Sequence, residues 1–414
     1  MKILHLFCRQ TGTRPIHVTI PKRYVYFWEI SSFLSKQKKY HIESIDCLDP
    51  QNSIFNLTKK IIATKPDMLV CLIRIENVFQ TIKFANFIKT INPKLSIIVY
   101  GDIVNKIPVF FRSIDSFDAT VESGDWELSL LSYIRHLENK KNKIKGVYTK
   151  HSEKVETGEY LDNDWSFVDI KKMPYNFYGS LDRKRQMTLT VARGCPYNCK
   201  YCLSVCTFGY KDRRKKVDDV IRFLKKNKKN CDSFKLFAPT FNADSAWVEE
   251  FCNKVIKRKI KISWCATSRI DLLDDENLIK LMKQSGCYKI SVGLETINKS
   301  SRYLNKEFSK DQIIKVARLF KKYRIVLKGL VMIGVPHQTK NDIIELFDLM
   351  KKNNITIRPT SYSPLNELNK DKLSVDELQR YDKFTFYKYG IKGATKSQYF
   401  QLLVDPENYK KILR

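Results

Sequence analysis

The chain has 414 residues, 43% of them hydrophobic and 12% aromatic, with 14 Gly and 13 Pro. That balance excludes collagenous, low-complexity and largely disordered chains, and no apolar run reaches the roughly 18–20 residues that cross a bilayer. The formal net charge of +31 is spread over predicted helix surfaces with no basic tail, which argues against a nucleic-acid partner.

At about 100–200 residues per domain, two or three domains are expected. The first apolar stretch, Met1 to Cys8, is too short for a secretion signal and reads as a strand. Eleven cysteines in a chain too large to depend on disulfides then point to reduced thiols, a cytoplasmic location and a metal site.

Over residues 1–137, apolar runs alternate with amphipathic, helix-length stretches. The runs are Lys2–Phe7, His41–Cys47, Met68–Ile73, Leu95–Tyr100 and Asp118–Val121; the helical stretches are Tyr24–Lys36, Ile54–Ala63, Val78–Thr90 and Trp126–Leu137. This alternation predicts a doubly wound parallel sheet, with any ligand at the carboxyl ends of the strands, near Cys8-Arg9-Gln10, Arg74 to Asn77 and Gly101-Asp102. No Gly-x-Gly-x-x-Gly follows the first strand, which disfavours a dinucleotide.

Residues 138–186 lack a sustained period and read as a linker. From Met187 the alternation resumes, with strands at Met187–Ala192, Ser233–Phe237, Lys261–Thr267, Lys289–Gly293, Val326–Ile333 and Ile355–Arg358. Helical patterns lie between them, so residues 187–361 form a partial (β/α)6 TIM-type barrel. Residues 362–414 remain as a C-terminal helical extension.

The first strand of the barrel leads into Arg193-Gly194-Cys195-Pro196-Tyr197-Asn198-Cys199-Lys200-Tyr201-Cys202. Three thiolates at this spacing can hold three corners of an iron–sulfur cube and leave one iron open, whereas closed cluster and structural zinc sites take four protein ligands. Cys206 could supply that fourth ligand in a ferredoxin-like or zinc module; its spacing also suits a thiol facing inward on a helix. The basic cluster Lys211-Asp212-Arg213-Arg214-Lys215-Lys216 follows and hints at an anionic substrate.

Cys195-x-x-x-Cys199-x-x-Cys202 after the first barrel strand resembles the radical S-adenosylmethionine (radical SAM) superfamily. Further pieces in order resemble its subgroup with an N-terminal cobalamin (B12)-binding-type domain. These are Phe237-Ala238-Pro239-Thr240-Phe241-Asn242, Ser268-Arg269-Ile270-Asp271, Gly286-Cys287-Tyr288, Gly293-Leu294-Glu295-Thr296, Leu304-Asn305-Lys306 and Met332-Ile333-Gly334-Val335-Pro336. The resemblance implies a [4Fe–4S] cluster on Cys195, Cys199 and Cys202, with S-adenosylmethionine on the open iron. An electron from an external reductant of flavodoxin or ferredoxin type would cleave the sulfonium to methionine and a 5′-deoxyadenosyl radical, which abstracts hydrogen from an unactivated carbon. It further implies that Tyr201 packs near the adenine and that Ala238, Thr240, Phe241, Arg269, Glu295 and Gly334 contact the cosubstrate. Ala238-Pro239 departs from the acidic pair of the subgroup, which reduces that segment to backbone contacts. Arg269 and Glu295 have a plainer reading as barrel-rim ion-pair residues.

In the N-terminal part, Val99-Tyr100-Gly101-Asp102 and Glu122-Ser123-Gly124-Asp125-Trp126-Glu127 are degenerate echoes of the subgroup's turns. A cobalamin would be framed by Cys8–Gln10, Arg74, Asn77, Gly101 and Asp102. With no Asp-x-His-x-x-Gly, a histidine is not expected beneath its corrin. His337, at the predicted barrel mouth, is a candidate for proton transfer or a plain loop residue. Three readings follow: a radical SAM methyltransferase or remodelling enzyme that uses cobalamin; a radical SAM enzyme with a vestigial, cobalamin-free domain that catalyses oxidation, cyclisation, epimerisation or rearrangement; and a non-enzymatic iron–sulfur electron carrier.

Overall fold

In the first half of the chain, apolar strands that are covered on both faces assemble a parallel sheet. The computed structural model describes residues 1–8, 25–47, 49–173, 185–368, 373–381 and 386–414. Strands β1 (Lys2–Phe7), β2 (His41–Asp46), β3 (Met68–Leu72), β4 (Ser96–Tyr100), β5 (Ala119–Val121) and β6 (Val147–Thr149) form one sheet in the order β2-β1-β3-β4-β5-β6. All five residues of β3 are buried, as a strand between two helical layers requires. Leu4, Leu6, Leu69 and Cys71 enter the core on one face, while Ile3, Phe7, Met68 and Val70 enter the core on the other. Strand β6 pairs antiparallel with β5, so the stretch read from sequence as linker contributes an edge to the sheet. Arg9, Gln10, His17 and Tyr24, and the linker from Pro174 to Lys184, lie outside the described residues.

The second sheet is parallel throughout and runs in chain order: β7 (Gln186–Thr190), β10 (Ser233–Phe237), β11 (Trp264–Ser268), β12 (Cys287–Glu295), β13 (Val326–Ile333) and β14 (Thr356–Ser361). Sequential order with two free edges makes it a partial barrel. Strands β8 (Ala192–Arg193) and β9 (Arg213–Arg214) form a small antiparallel pair beside it. Along β13 and β14 buried positions alternate with half-buried or exposed ones: the half-buried set is Lys328, Leu330 and Met332 on β13 and Arg358 and Thr360 on β14, a mixture of cationic, polar and apolar side chains.

The C-terminal extension fastens to both units. Leu368 and Leu378 enter the core of the N-terminal sheet, and Tyr399, Leu402, Tyr409 and Leu413 complete the core of the barrel. Among the described residues no helix is long and apolar enough to cross a membrane.

Candidate active site

The cysteine loop leaves β8 through Gly194, whose φ of 78° lies in the left-handed region. A Cβ there would sit 2.0 Å from the carbonyl oxygen of Lys211, so only glycine fits. The Cys195 N–H donates to Gly209 O (3.2 Å), Cys202 N–H to Cys199 O (3.0 Å) and Lys200 N–H to Leu304 O (3.1 Å); the Asn305 side chain donates to Asn198 O (3.0 Å). The loop is thus moored to the Leu304-Asn305-Lys306 segment across the barrel mouth.

Each sulfur has a polar partner. Arg269 Nη1 donates to Cys199 Sγ at 3.7 Å, the Ser204 N–H donates to Cys202 Sγ at 3.4 Å, and the Thr240 hydroxyl lies 3.6 Å from Cys195 Sγ. Burial pushes the Cys199 thiol up, and the cations Lys306 and Arg269 pull it back toward thiolate. Among the described residues no three His, Cys, Asp or Glu side chains converge tightly enough to hold a metal ion. The fit to a cluster therefore rests on the donor set: three thiols on one moored loop, each with a hydrogen-bond donor of the kind that stabilises cluster sulfurs. The residues present fit a cluster. Cys206 is exposed, and its thiol donates to Leu203 O at 3.0 Å. It does not face inward as its spacing suggested, because the buried side of the helix Ser204–Phe208 carries Thr207 and Phe208.

The rim residues are built in. Arg269 forms a bidentate pair with Asp271 (3.0 and 2.8 Å) and stacks 4.0 Å from the Tyr197 ring centroid, which aims it at Cys199. Glu295 is buried, and its Oε1 accepts from Tyr201 Oη (2.7 Å) and Lys306 Nζ (2.9 Å). Its φ of 57° is a strained conformation of the kind held in place at functional sites. Gly293 makes the room: a Cβ there would lie 2.1 Å from Glu295 Oε1 and 2.4 Å from Lys306 Nζ. Lys306 was not singled out as a site residue from sequence; its mark is its place just after Asn305, which also has a left-handed φ of 54°.

The other expected contacts are distributed differently. Ala238 and Phe241 are core residues, and Phe241 packs on Trp247 and Trp264, so their side chains do not reach the mouth. Gly334 donates to Gln338 Oε1 (2.7 Å) and has the Tyr399 ring 2.8 Å from where a Cβ would stand; helix packing accounts for it. His337 is exposed, with its ring edge-on to Tyr303.

The basic cluster after the cysteines is a clamp rather than an anion site. Arg213 is buried and pairs with Asp125 (2.6 and 3.0 Å). Arg214 holds Asp212 and the carbonyls of Thr240 and Phe241, and Lys215 caps the carbonyls of Asn163 and Trp165. Arg193, two residues before Cys195, joins them. Its side chain is 1% exposed between Glu29 (3.5 Å), Asp125 (3.6 Å) and Glu127 (2.9 Å) of the N-terminal unit.

A cavity of about 580 Å3 lies between the N-terminal sheet edge and the barrel, and its wall includes Arg74, Asp102, Tyr201, Cys202 and Glu295. Arg74 and Asp102 form an ion pair (2.8 Å) across the strand ends. Asn77 and Gly101 stand behind that wall. The Asn77 amide is buried on Cys8 O and Leu72 O, and Gly101 passes so close to Ile73 that a Cβ would lie 1.9 Å from its carbonyl oxygen. Among the described residues no histidine stands at this edge. His5 lies inside β1, bonded to Tyr100 Oη at 2.6 Å, and burial pushes it down to about 3.

Residues 189–350 match the family model of the radical SAM superfamily. The anaerobic magnesium-protoporphyrin IX monomethyl ester cyclase of Rubrivivax gelatinosus is 23% identical over 372 residues, covering 82% of this chain and 65% of the relative. An uncharacterized methyltransferase of Pyrococcus horikoshii is 24% identical over 328 residues, covering 76% and 71%. The chain therefore spans about two thirds of the length of such relatives. Among solved structures, the radical S-adenosylmethionine methyltransferase TsrM from Kitasatospora setae, with cobalamin and a [4Fe–4S] cluster bound, superposes with a TM-score of 0.72 at 12% identity over 99% of this chain and 92% of that one. The cobalamin-dependent radical enzyme OxsB gives 0.70 at 16% identity over 100% and 62%. These likenesses show the two-unit fold.

Proposed function

We propose, for a chain that belongs to the radical SAM superfamily through residues 189–350, that the cavity between its two units is a radical reaction chamber. The observation that carries this is the placement of Cys202, which belongs to the cysteine triplet and also lines the cavity with Tyr201 and Glu295. Cys195, Cys199 and Cys202 would hold a [4Fe–4S] cluster. When bound, that cluster supplies the electron that cleaves S-adenosylmethionine to methionine and a 5′-deoxyadenosyl radical able to take hydrogen from an unactivated carbon. The protein's own part is electrostatic and positional. Arg269 and Lys306 hold positive charge against the thiolates, Glu295 offers a fixed carboxylate to a cationic cosubstrate, and the two packed units limit access of water. An external one-electron reductant of flavodoxin or ferredoxin type completes the requirement.

Within this reading the favoured reaction is cobalamin-dependent methyl transfer or remodelling. A corrin would lie against the carboxyl edge of the N-terminal sheet, where Arg74 and Asp102 share a cavity with Cys202. The described residues fit it in part: the polar edge is present, and the Arg74–Asp102 pair spans the opening. That ion pair favours a second reading, the cobalamin-free enzyme that oxidises, cyclises, epimerises or rearranges. Anaerobic reconstitution followed by assay of 5′-deoxyadenosine tests the radical chemistry, and the visible spectrum after incubation with cobalamin separates the two readings. Loss of 5′-deoxyadenosine formation in the fully reconstituted protein would overturn both.

A further inference from the structure

The interior of a (β/α) barrel is ordinarily filled by layers of Val, Ile and Leu. Here cations stand among the inward residues: Lys235 on β10, Lys289 on β12, Lys328 on β13 and Arg358 on β14 all line the cavity, beside Ala266, Leu330 and Met332. They form one group. Lys235 and Lys289 flank Cys265 in register on β11, and Arg358 sits beside Leu330, two residues along from Lys328. The carboxylates in the same wall are engaged elsewhere: Glu76 and Asp102 by Arg74, and Glu295 by Lys306. Among the described residues none places a carboxylate on Lys289, Lys328 or Arg358. Cations brought together in a half-buried space repel one another and lose hydration, a cost that an anionic ligand relieves. Burial together with Arg358, Lys289 and Lys235 pushes Lys328 down to about 8, which leaves it charged at neutral pH and ready to gain from an anion.

We infer that the barrel floor is the seat of an oxyanion-bearing substrate, a small molecule anchored by carboxylate or phosphate groups on Lys289, Lys328 and Arg358. The inference deepens the proposed function, since it rests on the barrel being the reaction chamber. Lys289 lies six residues before the end of β12 at Glu295 and Lys328 five before the end of β13 at Ile333, roughly 17–20 Å deeper at about 3.3 Å per residue, while Arg358, three residues before the end of β14, lies about 10 Å deep. The cysteine loop lies at the opposite, carboxyl end. A substrate held by its anionic end at the floor therefore extends its carbon skeleton toward the mouth. The seat is distinct from the place where the carboxylate of S-adenosylmethionine would bind.

The test is calorimetric titration of the full-length protein, with and without reconstituted cluster, using citrate as the carboxylate probe, pyrophosphate as the phosphate probe and acetate as the monovalent control. Citrate or pyrophosphate is expected to bind far more tightly than acetate, and the better of the two identifies the anionic group. Lys328→Met and Arg358→Met should each weaken that binding at least tenfold. Arg358→Lys should retain most of it, and Lys226→Met on the outer surface should not change it. S-adenosylmethionine should leave the affinity unaltered. Equal binding in all variants, displacement by S-adenosylmethionine, or no binding of either polyanion would overturn the inference. Cys195→Ala separates the two levels: it should bind the anion normally while making no 5′-deoxyadenosine. A wild-type protein that binds the anion in the barrel without cleaving the cosubstrate would sink the proposed function alone.

Discussion

At the residue scale, the three sulfurs and the carboxylate across the mouth carry separate loads. Replacing Cys195, Cys199 or Cys202 with Ala should abolish 5′-deoxyadenosine formation and lower bound iron. Cys206→Ala should preserve both, because that thiol bonds only its own helix; iron analysis beside product chromatography decides. Arg269→Ala removes a partly buried cation and Glu295→Ala a buried carboxylate, so cosubstrate binding should weaken by roughly 1–3 kcal/mol while iron content stays normal, as equilibrium dialysis would show. Gly293→Ala probes the same carboxylate from behind. The new methyl group would fall within 2.1 Å of Glu295 Oε1, so the Glu295–Lys306 pair must part, and cosubstrate affinity should fall as in Glu295→Ala.

At the scale of strands and helices, the inward row of the barrel trades stability for charge. Lys328 has a folded value of about 8 against an ordinary 10.5. Between those two values the unfolded chain holds more protons, so stability rises with pH across that window; below about pH 8 the full cost of burying the ammonium is present. Lys328→Met should therefore melt a few degrees higher than the parent at pH 7, with the difference closing by about pH 10, as paired thermal melts would reveal. The same row shows what the sequence disclosed and what it hid. Strands were legible because two-sided burial writes continuous apolar runs such as Met68–Leu72, and the cysteine triplet was legible because its three ligands are local. The floor was in plain view as one cation inside each of SFKLF, CYKISVGLE, VLKGLVMI and TIRPTS, but periodicity alone does not say that four such residues from four strands face one another. Cluster 211–216 misled for the complementary reason: the carboxylate that buries Arg213 lies 88 residues earlier in the chain, so a local charge count reads a clamp as a surface.

At the scale of the whole molecule, the cysteine loop depends on both units. Arg193 is enclosed by Glu29, Asp125 and Glu127, and the Thr190 N–H donates to Glu29 Oε1 at 3.0 Å. Removing one partner of such a buried group costs about 3–5 kcal/mol, because the others keep their charge without compensation. Arg193→Met should lower stability by that amount in denaturant titrations and reduce iron loading in proportion, although its side chain points away from the cysteines toward the N-terminal unit.

That enclosure bears on what the first half does for the second. The strand that enters the cysteine loop ends on carboxylates borne by that first half, and the chain's last helices grip both parts. Deletion would strip the loop of its footing regardless of whether a corrin ever occupies the sheet edge. The N-terminal unit is thus masonry for the cysteine loop, whatever its sheet edge binds.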